Sequence, residues 1–181
     1  MGKLTLILGG ARSGKSAQGL QRARAYERVA FIATAEAGDA EMRKRISAHK
    51  KQRPSHWKTV EAPLLPVEVL RELIERYDCI IIDCLTLLIS NLQLKGTGRP
   101  AVTSRIRAIT GMVRKGKAEV IIISNETGLG IVPANGPARA FRDTAGRVNQ
   151  VAAQAADEVV FMLSGIPLVI KGASTVFNPP G

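Results

Sequence analysis

Eight consecutive residues near the N-terminus carry the first chemistry legible in this chain. Gly9, Gly10, Ala11, Arg12, Ser13, Gly14, Lys15 and Ser16 satisfy the spacing G-x-x-x-x-G-K-[ST]. Small residues let backbone N–H groups turn inward around a phosphate, and the start of a following helix adds partial positive charge. Lys15 can then reach the β- and γ-phosphates, and the Ser16 hydroxyl can ligate Mg²⁺. Asp83 supplies the natural partner. A carboxylate at the end of an apolar strand, beside such a loop, can hold Mg²⁺ through water; the plainer alternative is an ordinary strand-terminal aspartate.

His49 is the third feature. Met42, Ile46 and His49 fall at i, i+4 and i+7 and so share one helical face. On periodicity alone, a histidine on such a face is a packed structural residue. Lys50, Lys51 and Arg53 follow it at once, however. A histidine beside a cationic cluster, in a protein that binds nucleotides, is placed to attack an α-phosphate, with the cations stabilising charge on phosphorus and on departing pyrophosphate. Both readings stay open at this point. His56, in a tryptophan-containing loop, reads as structural.

The elements that must position these groups alternate between strands and helices. Leu4–Leu8 reads as a strand leading into the glycine-rich loop, and Ala17–Ala25 has helical composition. Arg28–Thr34 is a second strand, with 34–38 as a loop at its C-terminal end, the edge where open parallel sheets bind ligands. Asp39 caps a helix expected over 40–51, stopped by Pro54. The stretch 52–63 reads as a loop and 66–76 as an amphipathic helix. Cys79–Asp83 and Glu119–Ser124 are apolar runs of strands buried on both faces. The segment 94–100 is the best candidate for a mobile loop, ahead of a basic helix over 104–115. A helix over 137–155 precedes strands at 158–163 and 167–171, joined by a Ser164-Gly165 turn. Residues 173–181 read as a flexible tail, leaving 1–172 as one nucleotide-binding and catalytic domain.

The chain has 181 residues and a net charge of +11. That charge suits a phosphate-handling surface or nucleic acid, but aromatic residues make up only 4%, too few for the stacking platforms of single-strand binders. No nucleic-acid partner is expected. No apolar run approaches a membrane span, and no signal peptide is read, because the first apolar run flows straight into the loop. Cys79 and Cys84 fit neither a zinc pair nor a redox C-x-x-C, so buried thiols in a reducing cytoplasm are expected.

Taken together, several segments resemble one family. They are Gly9–Ser16, Ile32-Ala33-Thr34, Glu41-Met42 with Arg45-Ile46-x-x-His49-Lys50, Arg53-Pro54-x-x-Trp57-x-Thr59-x-Glu61, and Asn125-Glu126-x-Gly128-x-Gly130-Ile131-Val132-Pro133. Phe141-Arg142-Asp143-x-x-Gly146-Arg147-x-Asn149-Gln150, Ala156–Val159 and Ser164–Pro167 complete the set. The family is the bifunctional adenosylcobinamide kinase/adenosylcobinamide-phosphate guanylyltransferase of cobalamin assembly, and the resemblance covers nearly the whole chain. It implies phosphorylation of adenosylcobinamide with ATP or GTP. Transfer of GMP from GTP onto that phosphate would follow, through a guanylylated histidine falling on His49, with release of pyrophosphate. It implies nucleotide contacts at Gly9–Ser16, Thr34, Ala35, Glu36, Lys50, Lys51, Gln52, Arg53, Glu61 and Asp83, and Mg²⁺ at Ser16 and Asp83. It also implies a RecA-like core and a homotrimer.

The expectation is therefore an α/β phosphate-loop NTPase fold, RecA-like, with a mostly parallel sheet flanked by helices. Lys15, Asp83 and His49 are its catalytic residues. Arg139, Arg142, Asp143 and Asn149 are further candidates for ligand contacts, with core or interface roles equally open. Two other functions remain: a simple small-molecule kinase, indifferent to loss of His49, and a basic RecA-like ATPase stimulated by nucleic acid.

Overall fold

The computed structural model describes residues 1–172, apart from the side chain of Arg45; the expected tail at 173–181 lies outside the described residues. Seven strands form one sheet. They are β1 (Lys3–Gly9), β2 (Val29–Ala33), β3 (Lys58–Glu61), β4 (Cys79–Asp83), β5 (Glu119–Asn125), β6 (Glu158–Leu163) and β7 (Ile166–Lys171). Their order is β3-β2-β4-β5-β1-β6-β7, parallel throughout except for β7, which runs antiparallel to β6. The helices are α1 (Lys15–Ala23), α2 (Ala40–Lys51), α3 (Val67–Arg76), α4 (Leu85–Leu94), α5 (Arg99–Lys115) and α6 (Gly136–Ala155).

The apolar runs become the inner strands because parallel strands covered on both faces need apolar residues at every position. Successive side chains point to opposite faces. Leu4, Leu6, Ile80 and Ile82 accordingly pack with residues of α3, α4, α5 and α6, such as Leu70, Leu88, Ile106 and Val148. Ile7, Ile81 and Ile123 pack on the other face with Leu20 and Ala23 of α1, Phe31 and Trp57. The layers are unequal. Four helices cover one face, while α1 and the Trp57 loop cover the other.

Three elements differ from the sequence expectation. Lys58–Glu61 lies in a segment expected to be loop, yet it pairs with β2 as the edge strand β3. Leu85–Leu94 forms α4, buried along most of its length. The expected mobile loop at 94–100 shrinks to a short connection, because Leu94 closes α4 while Arg99 and Pro100 open α5. Proline is well suited to a first helical turn, whose N–H groups have no intrahelical partner.

At the foot of the sheet, α1 is tied down by a buried ion pair. Arg22 Nη1 and Nη2 each donate to Glu158, at 2.8 Å, while Glu158 is only 4% exposed. Lys3 Nζ lies 3.7 Å from the same carboxylate, and Tyr26 and Thr5 donate to neighbouring Glu119. The hydrogen bonds from Arg22 hold the Glu158 carboxyl below its ordinary value. A carboxyl depressed in the fold contributes stability above its unfolded pKa, and that contribution is lost as pH falls through the folded value. Glu158→Gln leaves the Arg22 guanidinium buried and uncompensated, so it is expected to cost about 3 kcal/mol at neutral pH. The gap to wild type should close in acid. Urea titrations across pH 3–7 check this, and a gap that stays constant would show that the ion pair is not its source.

Candidate nucleotide site

The site forms where β1 ends. Gly9 has φ 152°, and a Cβ there would fall 2.6 Å from both Met162 O and Ser13 Oγ, so only glycine lets the chain turn so tightly against β6. Gly14, at φ 92°, is the N-cap of α1. Lys15 is 7% exposed, and its ammonium donates to Gly10 O and to Ser13 Oγ, lying over the backbone of the loop. Burial pushes its pKa below the ordinary lysine value. The turn between β6 and β7 braces the loop from outside, with Gly165 N–H donating to Ser13 O at 3.1 Å.

Asp83 ends β4, one strand removed from β1, with β5 between them. Ser16 Oγ donates to Asp83 Oδ2 at 2.8 Å. Burial raises the Asp83 carboxyl above its ordinary value, against the Ser16 hydrogen bond and the charges of Arg53 and Lys15, which favour its ionised form. One carboxylate and one hydroxyl in contact are hard oxygen donors of the kind Mg²⁺ uses when phosphates and water complete its octahedron. Among the described residues there is no cluster of three or more His, Cys, Asp or Glu side chains that could hold a metal unaided. The donor set fits a nucleotide-borne Mg²⁺.

One cavity of about 520 Å³ joins the loop to α2. The phosphate loop from Ala11 to Ser16 forms its floor, Asp83, Cys84 and Asn125 one wall, and Met42, Ile46 and His49 another. The α2 helix begins as expected, with Asp39 Oδ1 accepting from Met42 N at 2.7 Å, and none of its described side chains is fully buried. Arg53 also lines the cavity, its guanidinium stacked 3.5 Å from the Phe31 ring centre. Its Nε and Nη1 are buried without a partner, and burial lowers its pKa.

Other expected contacts are distributed differently. Ala35 and Gln52 line the cavity. Thr34 is fully buried, and its hydroxyl donates to Cys84 O at 2.8 Å and accepts from Cys84 N at 2.7 Å, clipping β2 to the end of β4. Lys50 pairs with Glu61 at 2.6 Å on the surface, joining α2 to β3; Glu36 and Lys51 are exposed. Asn149 is a core residue, accepting from Ser124 Oγ and donating to Asn125 O. Arg142 and Arg139 donate to backbone carbonyls of the loop after β5, and Asp143 is exposed. His56 is exposed and meets Trp57 edge-on. Cys79 and Cys84 are buried free thiols, and burial pushes Cys79 to about 12. Sequence reasoning did not single out Asn125 as a cavity residue or Cys84 as part of its wall. Their places at the C-terminal ends of adjacent strands were the available signal.

A glycine-rich turn from strand to helix, answered by a strand-end carboxylate, defines the class: a phosphate-loop nucleotide-binding protein with a RecA-like sheet. A crystal structure of a KaiC-like protein from Pyrococcus horikoshii shares this fold. Its TM-score is 0.50 at 14% identity, over 88% of this chain and 70% of that one. The family model described as cobinamide kinase / cobinamide phosphate guanyltransferase matches residues 5–170, and the chain belongs to that family. It is 42% identical over 169 residues to the bifunctional adenosylcobalamin biosynthesis protein CobP of Pseudomonas aeruginosa, covering 92% of this chain and 96% of the relative. To the corresponding CobU of Salmonella typhimurium it is 38% identical over 180 residues, covering 93% and 99%. The chain is thus a transferase of the cobinamide kinase and guanylyltransferase type, acting in cobalamin biosynthesis. No helix among the described residues is long and apolar enough to cross a membrane.

Proposed function

We propose that this chain uses the one cavity for two transfers to the same acceptor. In the first, the aminopropanol hydroxyl of adenosylcobinamide attacks the γ-phosphorus of ATP or GTP; the new O–P bond forms, the bond to the bridging oxygen breaks, ADP or GDP leaves, and the hydroxyl proton passes to solvent. Lys15 and the backbone of residues 9–16 hold the phosphates, and Ser16 with Asp83 would hold Mg²⁺, which would supply charge neutralisation to the triphosphate. In the second, a His49 nitrogen attacks the α-phosphorus of GTP. The N–P bond forms, the bond to the bridging oxygen breaks, and pyrophosphate leaves. An oxygen of adenosylcobinamide phosphate then displaces the imidazole, giving adenosylcobinamide-GDP. The single observation that carries this reading is that His49 faces the same cavity as the phosphate loop.

Covalent labelling with α-phosphate-labelled GTP and Mg²⁺ tests it. The wild type should take up label as an acid-labile, base-stable phosphoramidate, and His49→Ala should not. No label on wild-type protein that binds GTP would leave only the kinase.

Arg53 is assigned to the nucleotide phosphates. A guanidinium with two buried unpartnered nitrogens suits an anion, and a charge-assisted hydrogen bond of about 1.5–3 kcal/mol makes Arg53→Ala weaken GTP binding about tenfold or more. Calorimetric titration reads it, and an unchanged Kd would reduce Arg53 to a cover for Phe31. Thr34 acts by holding Cys84 beside Asp83, while Lys50 and Glu61 form the outer rim. Residues 1–172 act as one domain in the cytoplasm. A homotrimer is assigned, supported by the exposed Ile166, Leu168 and Ile170 on edge strand β7, which need a cover; light scattering checks the mass.

A further inference from the structure

Exposed large apolar side chains fall mainly into two groups. One lies on the β6–β7 hairpin. The other follows β5: Leu129 is 79% exposed, Ile131 97% and Val132 62%. Three such residues within four positions of a loop have no role in the core.

The loop carrying them is held on a built frame. Glu126 N–H donates to Gly9 O at 3.0 Å, beneath the phosphate loop, and Glu126 Oε1 accepts from Gly128 N at 2.7 Å. Arg142 Nη2 donates to Gly128 O at 3.1 Å, and Arg139 Nη1 donates to Pro133 O and Ala134 O at 3.0 and 2.6 Å. The frame is α6 itself. Asn149 is level with the end of β5 through its bonds to Ser124 and Asn125. From Thr144 onward the helix is packed in the core, with Ala145 and Val148 fully buried. None of residues 136–143 is buried.

We propose that this loop, backed by the first half of α6, seats the macrocycle of the corrinoid acceptor, a site class that rests on the two-transfer reading above. A cavity of about 520 Å³ suits a nucleotide, so a corrin ring must remain at the rim with only its hydroxyl or phosphate arm inside. Outside Met42, Ile46 and His49, which line the cavity, the exposed side chains of α2 include Arg43, Lys44, Lys50 and Lys51, charged groups that do not suit an apolar ring face. The apolar side chains Leu129, Ile131 and Val132 follow closely in sequence on Asn125, which lines that cavity. A ring lying on Leu129, Ile131 and Val132 presents its arm across Asn125 toward the loop-bound phosphates, the placement that an acceptor oxygen needs.

The test is the double variant Leu129→Ser/Ile131→Ser. Neither side chain is packed, so folding is unaffected. Binding of cobinamide is followed by its own absorbance, guanylylation by uptake of label from GTP without acceptor, and assembly by light scattering. Loss of two large apolar contacts should weaken cobinamide binding about tenfold or more, with the rate of guanylylation and the assembly mass unchanged. Unchanged cobinamide affinity overturns the proposal. A fall in assembly mass also overturns it, because the loop is then a contact between copies of the chain. If the wild type takes no label from GTP, the two-transfer reading fails while the cobinamide titration still decides the seat.

Discussion

Replacing His49 with alanine is expected to abolish guanylyl transfer and leave the phosphorylation of cobinamide standing. The two reactions strike different phosphorus atoms of the nucleotide. In the proposed scheme the nucleophile at the α-phosphorus comes from α2, where His49 lines the cavity. The same scheme gives the γ-phosphate to the loop and Lys15, whose hydrogen bonds go to Gly10 and Ser13 and not to His49. Loss of an enzyme nucleophile removes the covalent route outright, so guanylyl transfer should fall by about 10³-fold or more. Cobinamide phosphate should then accumulate at nearly the wild-type rate. Chromatography of products over time separates the two steps. Equal loss of both would mean that His49 contributes to binding the nucleotide as a whole.

Lys15→Met is expected to do the opposite, removing both reactions while making the protein harder to melt. The ammonium over the loop is the cation aimed at the phosphates, and loss of one such preorganised group costs about 10²–10³-fold in rate. Both steps use a triphosphate held by the same loop, so both should fall. Stability moves the other way. Burial pushes the Lys15 pKa down, so at neutral pH its charged form is less comfortable folded than unfolded. Methionine has a similar reach and no charge to bury. Thermal melts without nucleotide should show a higher midpoint for the variant, whereas GTP should raise the midpoint of the wild type only. A lower midpoint would mean that the hydrogen bonds from Lys15 to Gly10 and Ser13 outweigh its desolvation. The pair of results would place catalytic and folding demands at odds on one side chain.

The parts of the fold legible in the sequence were those with a local signature. The glycine spacing, the Asp39 cap, the apolar runs of β4 and β5 and the shared face of Met42, Ile46 and His49 each follow from backbone or periodicity rules acting over a few residues. What stayed hidden depended on neighbours distant in the chain. β3 has only half-buried or exposed residues, with Val60 as its one apolar side chain, too short a signal to mark a strand, and it is a strand because β2 lies beside it. α4 is buried around most of its circumference, so its sequence carries no polar stripe to reveal a period. The resemblance implied a nucleotide contact at Thr34, and the bond from its hydroxyl to Cys84 O, fifty residues later, had no local signal. The clustering of Leu129, Ile131 and Val132 in an exposed loop was equally invisible, because an apolar triplet in sequence usually signals a core.

The phosphate loop is written in the first sixteen residues, but its supports come from the far end of the chain. β1 lies between β5 and β6, and the backbone of Ser13 is met by Gly165. On a ribosome, the glycine-rich residues emerge well before β5 and β6, so their strand has neither neighbour until those later strands follow. Closing loops of that length slows folding, since their entropy is lost before the distant contacts repay it. A truncated or stalled product therefore carries the complete glycine motif without a frame to shape it. The shape of the phosphate loop draws on contacts that β5, β6 and Gly165 bring from distant parts of the chain.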